Sequence, residues 1–434
     1  MVQQVAALAA LLACSLAQLE YASQLRLGVR VERDRAGRAR AATRLRVTTW
    51  EDGSIAGPER AGARAAVETA VRYWRARLRP VRPGGLVRLD RGCAGPGAEP
   101  GPRCPPERGC AAVTRCGEVE VPAAHLAACR TCSSPDNCTQ TGPAGRGLRA
   151  DLVLYMSSVE SAACKDGATL AHASHCQQEA GTDRPVAGHV NLCPGPLLKA
   201  DLAHLADTVK HELLHILGFS VQLFPFYRDG RGRARTVRDK AGRPRHRHPR
   251  YLLYLADPAT VRRVERTGWE VAGGTISRMV TLLATPAVRR EVGRHFGCDG
   301  AEGGELEDQG DPGTAFTHWE KRVFGEEGMT GNHQQLNFAG RLWRERTPFS
   351  RITLAALQDS GWYRVRLGRA DQFSWGAGAG CQYLNTSCTA WIRSQPSPAP
   401  YCTQPTPVRR QSPPPCFRYP QAWTLFPRHE KASI

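Results

Sequence analysis

The sequence predicts a mixed α+β fold held together by disulfides. Three features carry that expectation. Some segments alternate apolar and polar residues or run continuously apolar, as strands do. Others repeat apolar residues at three- and four-residue steps, as helices do. There are also 16 cysteines, ten of them between Cys93 and Cys193, a density that belongs to oxidising compartments. A chain of 434 residues has room for two or three domains.

Taken in order, Val5–Ala17 is a short apolar run ending in small residues. It reads as a signal peptide over residues 1–17. Residues 24–34 and 42–53 alternate as edge strands do. Residues 62–78 have helical spacing through Val67, Val71 and Trp74. The stretch from Pro80 to Gly147 is rich in Gly, Pro and Cys and is expected to be irregular and disulfide-stapled. Residues 150–158 read as a buried strand. Residues 199–218 form the clearest helix, with Gly218 placed to end it in a left-handed conformation. Residues 250–269, 285–298 and 350–363 read as three further helices. No internal repeat is apparent, and the tail after about residue 400 shows no periodicity.

Charge narrows the partners. The net charge is +19, but the arginines are scattered, except in a dense run from Arg228 to Arg250. That run lacks aromatic interleaving, so no specific nucleic-acid partner is expected. It reads as a solvated loop, with contact to an anionic glycan or membrane surface as the alternative. No later segment approaches the ~20 apolar residues of a membrane span. The sequons at Asn137 and Asn385 are candidate glycosylation sites. The expected location is therefore the secretory pathway, extracellular or membrane-associated, with a cytoplasmic membrane-associated pool as the alternative.

The chemistry concentrates in the helix of residues 199–218. It contains His211-Glu212-x-x-His215. Residues four apart share a helical face, so both imidazoles can ligate one ion. Glu212 lies beside them, placed to act as a general base. A catalytic zinc needs a third protein ligand and an open position. The compact metzincin spacing would put that ligand at residue 221, which is Val221. The later histidines are His246, His248, His295, His318, His333 and His429. His246 and His248 sit among arginines, His295 on a packing helix and His429 in the tail. His318 is the strongest candidate, because Met329 follows eleven residues later before Thr330 and Gly331.

These stretches together, with residues 116–132, 151–158, 183–195, 352–363 and 375–388, resemble the animal branch of the leishmanolysin family of zinc metallopeptidases, in the metzincin clan. The long insertion between the second and third histidines is that family's mark. The resemblance implies one zinc ion on His211, His215 and His318, Glu212 as catalytic base and Met329 in a turn beneath the ligands. It also implies hydrolysis of internal peptide bonds, protein or peptide substrates, and a role in cell adhesion or matrix processing. The expected layout is an N-terminal catalytic domain over residues 18–222 and a mostly helical central domain over residues 223–368. A truncated cysteine-containing segment with a disordered tail follows over residues 369–434. The sequence departs from the family in lacking a His-Arg-Cys propeptide segment and most of a C-terminal cysteine-rich domain. Two rival functions remain at this point: a catalytically silent adhesion scaffold with a structural zinc, and a polyanion-binding protein using Arg228–Arg250.

Overall fold

The computed structural model describes residues 26–33, 44–95, 104–134, 137–167, 169–249, 253–271, 273–309, 315–331, 337–338, 341–342, 347–396 and 400–401. The expected leader at 1–17 and the tail after residue 401 lie outside these. A five-stranded sheet and the helices on one face of it set up everything that follows. Its strands are β1 (Arg26–Val29), β2 (Val47–Glu51), β3 (Leu152–Ser157), β4 (Ala171–Glu179) and β5 (Pro185–Leu192), in the spatial order β1-β4-β5-β3-β2. The two segments read as edge strands are the two edges. The apolar run of β3 is buried at every position and runs parallel to both neighbours, the pattern of a strand covered on both faces. β4 is antiparallel to β5.

Helix α1 (Glu59–Arg77) packs Ala63, Ala66, Val67, Ala70, Val71 and Trp74 inward. Helix α2 (Leu202–Leu217) starts on Asp201, whose carboxylate accepts from Ala203 N and His204 N and satisfies two otherwise unpaired donors. Trp74 Nε1 donates to Lys210 O at 3.0 Å, joining the two helices. Gly188 of β5 lets α2 lie close, since a Cβ there would stand 2.4 Å from Ile216 Cγ2. One contiguous apolar cluster runs from Leu45 to Tyr401. A smaller one lies on the other face of the sheet, around Val87, Val119, Tyr155 and Val186.

The irregular stretch is stapled as expected. All ten cysteines between Cys93 and Cys193 are bridged, as Cys93–Cys104, Cys110–Cys129, Cys116–Cys176, Cys132–Cys138 and Cys164–Cys193. Cys298–Cys381 is a sixth bridge, and Cys388 is a buried free thiol. The bridges of this stretch close loops of 6 to 60 residues, and each limits the freedom of the unfolded chain.

Four expectations need correction. The helix read over 250–269 is a strand, β6 (Val261–Val271), which pairs antiparallel with β7 (Gly274–Leu283), itself paired with β8 (Gly304–Leu306). Val261, Val264 and Trp269 mimic helical spacing, but a partner strand across Gly273-Gly274 decides the outcome. The segment 223–368 is therefore not mostly helical: this antiparallel hairpin stands beside α3 (Pro286–Phe296) and α4 (Arg351–Asp359). Gly218 is not left-handed, having φ 163°. Glycine suits it because a Cβ would stand 3.1 Å from Leu357 Cδ2. Finally, no internal repeat is apparent from the sequence, yet residues 227–249, expected as a solvated loop, are a pair of turns that repeat after ten residues.

Candidate metal centre

His211 and His215 project from α2 at successive turns. His318 arrives from a short strand-like crossing, where Trp319 N donates to Met329 O and Glu307 N donates to His318 O, both at 2.9 Å. The three rings meet. His211 Nε2 lies 3.2 Å from His318 Nε2 and 3.1 Å from His215 Nε2. One ligand atom from each of the three lies within 4.8 Å of the others. Among the described residues no other group of histidine, cysteine or acidic side chains converges in this way.

The partners at the far side of each ring explain the convergence. His211 Nδ1 bonds Gly328 O and His215 Nδ1 bonds Phe219 O, each at 2.8 Å. A carbonyl only accepts, so these rings carry their proton on Nδ1 and turn an Nε2 lone pair inward. His318 Nδ1 faces Glu307 Oε2 at 3.2 Å. Three inward lone pairs at this spacing repel one another without a cation. Tetrahedral zinc with Zn–N of about 2.1 Å requires nitrogens about 3.4 Å apart, so the donor set fits that ion with small adjustments.

Glu212 is buried, and burial pushes its carboxyl up to about 8, against a backbone hydrogen bond from Ala173 that favours the ionised form. A cation next door acts in the same sense as that hydrogen bond. Ala173 belongs to β4, in the part of that strand that β1 does not cover. β1 pairs only with Gln177–Glu179 of that strand.

Met329 is fully buried in a turn closed by Thr330 N donating to Glu327 O at 3.1 Å. Two acids at this site escaped sequence analysis. Glu307 backs His318. Glu327 is fully buried and accepts from Met329 N, Ser350 N, Ser350 Oγ and Thr353 Oγ1. Neither has a local signature. Pairing with a distant segment is what gives each its place.

The remaining candidates lie elsewhere. His295 packs on Phe373 and bonds Trp375 O at 2.8 Å, consistent with a packing role. His246 and His248 belong to the arginine-rich turns, while His333 and His429 lie outside the described residues. Asn137 is exposed beside the Cys132–Cys138 bridge. Asn385 is exposed at the end of a helix, Gly380–Asn385, but its sequon's Ser387 is buried and accepts from Ala390 N.

A helix carrying two histidines and a glutamate, completed by a third imidazole from a distant crossing, defines the metallopeptidase class of metal centre. The chain belongs to the leishmanolysin family, whose model matches residues 111–412. The leishmanolysin-like peptidase of Drosophila melanogaster is 43% identical over 335 residues, covering 75% of this chain and 47% of that protein. Its counterpart in Caenorhabditis elegans is 42% identical over 304 residues, covering 68% and 44%. The ciliated left-right organizer metallopeptidase of Mus musculus is 32% identical over 252 residues, covering 57% and 31%. The chain thus spans less than half the length of these relatives. The six bridges among the described residues suit an extracellular or secretory setting. Among the described residues no helix is long and apolar enough to cross a membrane.

Proposed function

We propose that the chain is a zinc-dependent endopeptidase that hydrolyses internal peptide bonds of proteins, with His211, His215 and His318 as metal ligands and Glu212 as general base. The supporting observation is the convergence of three Nε2 atoms, two of them with the tautomer set by a carbonyl at Nδ1. When bound, zinc supplies Lewis-acid polarisation of a water and of the scissile carbonyl. Glu212 accepts the proton of the attacking water and returns it to the leaving amine. Burial suits that task, because it brings the carboxyl's proton affinity nearer to that of the groups it exchanges with. Met329 is buried in the turn whose Gly328 carbonyl holds His211, and its own carbonyl pairs with Trp319 N, next to His318. The outer edge of β4 from Ala171 to Cys176 has no strand partner among the described residues. An extended substrate would add there as a strand, beside Glu212. Matrix or adhesion proteins are the proposed substrate class.

The test is cleavage of an unfolded protein substrate. Wild type is expected to show activity abolished by a chelator and restored by zinc. Glu212→Gln is expected to keep one zinc and lose activity by about 10²–10⁴-fold. A wild-type protein that holds zinc and cleaves nothing would instead mark a silent scaffold. Retained turnover in Glu212→Gln would remove the assignment of the base.

A further inference from the structure

Residues 227–249 carry nine Lys or Arg against two Asp, and their backbone is built to a pattern. The sequence Arg-Asp-x-x-Gly-Arg-x-Arg occurs at 228–235 and again at 238–245. Each copy is a tight hairpin. Asp229 Oδ1 accepts from Arg231 N and Arg233 N, both at 2.9 Å. Asp239 Oδ1 accepts from Ala241 N at 2.9 Å and Arg243 N at 2.8 Å. Gly232 and Gly242 supply the left-handed residue, with φ 80° and 77°. Arg235 N closes on Tyr227 O at 2.9 Å, and Arg245 N on Val237 O at 3.0 Å. A third hairpin-like bridge, Arg247 to Tyr254, follows.

The arginines divide into two sets. One set is structural. Arg228 and Arg238 both reach Asp183 Oδ2, at 2.8 and 3.1 Å, which brings the two turns side by side. Arg235 bonds Asp359 O at 3.1 Å. Arg238 covers the ring of Phe226, and Arg247 that of Tyr254. The other set faces water: Arg231, Lys240 and Arg245 are exposed, as is Arg233, which pairs with Asp229 of its own turn. The result is a row of cations on a backbone that is already fixed, so little ordering is required of it on binding.

We infer that these tandem turns are a docking ridge for a linear sulfated polysaccharide. Among the described residues the nearby rings of Phe226, Tyr227 and Tyr254 are buried, two of them under Arg238 and Arg247, which leaves none of these for stacking bases, as a single-stranded nucleic acid would require. Among the described residues the exposed large apolar side chains alongside are the aliphatic Val237 and Leu255, without the aromatic anchors of a membrane-interface surface. The disulfides belong to a compartment in which sulfated polysaccharides are met. Tyr227, at the start of the ridge, donates to Gly218 O at 3.1 Å. A bound polysaccharide would therefore sit next to the end of the ligand helix.

The experiment uses the full chain with its disulfides formed and heparin as probe, at about 0.15 M salt. The variant Arg231→Ala/Lys240→Ala/Arg245→Ala removes three exposed charges. Arg72→Ala/Arg75→Ala/Arg290→Ala removes three exposed charges elsewhere and controls for the basic surface as a whole. The ridge variant is expected to bind heparin about tenfold more weakly, with an unchanged thermal midpoint, while the control changes by less than about twofold. Equal losses in both variants, or no heparin binding by wild type, overturn the inference. So does tighter wild-type binding to phosphatidylserine vesicles or to single-stranded DNA, lost only in the ridge variant. Zinc content and peptidase activity are separate readouts, so this result stands or falls apart from the proposed activity.

Discussion

Replacing Glu327 tests how the turn under the metal ligands is held. Its carboxylate is fully buried, and burial raises its pKa while the donors around it oppose that shift. Oε2 accepts from Met329 N at 2.5 Å. Oε1 accepts from Ser350 N at 2.8 Å, from Ser350 Oγ at 2.9 Å and from Thr353 Oγ1. Two of these donors are backbone N–H groups that cannot reverse, one on each oxygen, so the arrangement is satisfied by the ionised form. In Glu327→Gln an amide NH₂ must face one backbone N–H. One charge-assisted bond is lost and a buried donor is orphaned, costing about 2–3 kcal/mol. Glu327→Ala strands all four donors, costing about 3–5 kcal/mol. Urea unfolding with disulfides intact measures both. Metal affinity is expected to fall as well, because the adjacent Gly328 carbonyl orients His211. If Glu327→Gln unfolds within about 0.5 kcal/mol of wild type, the carboxyl is already neutral in the folded protein and this reasoning fails.

Glu307→Gln removes the charge behind His318 while keeping its shape. It is expected to weaken zinc binding about 10–100-fold, measured by competition with a chromogenic chelator; unchanged affinity would show that Glu307 does not act through the ring. Gly188→Ala inserts a methyl 2.4 Å from Ile216 Cγ2 and is expected to cost about 1–3 kcal/mol. Ile216→Ala in the same chain should recover part of that loss in urea titrations, and a double variant weaker than both singles would show that the helix is not seated as described.

Much of the site is legible in the sequence because it depends on short-range periodicity. His211, Glu212 and His215 share a helix whose apolar stripe is plain, so their common face follows from residue spacing alone. His318 was reachable through Met329 and the surrounding resemblance, but not through spacing, since more than a hundred residues separate it from His215. Glu307 and Glu327 were not legible. A lone acid in a loop looks solvated until the partner segment that buries it is known, and here those segments are 318–319 and 350–353. The strand Val261–Val271 was misread for the same reason. Its apolar residues fall at three-residue steps near the start, and the register shift between Arg266 and Trp269 hides the alternation that would mark a strand. The repeat at 228–245 was hidden in plain composition, because a dense run of arginine masks the Asp and Gly positions that shape each turn.

Metal analysis of purified protein tests the central claim most directly. Wild type is expected to carry one zinc per chain, and His318→Ala to lose it under mild chelation that leaves wild type loaded. Wild type without zinc, or a His318→Ala protein that keeps its zinc as firmly as wild type, would contradict the three-imidazole centre.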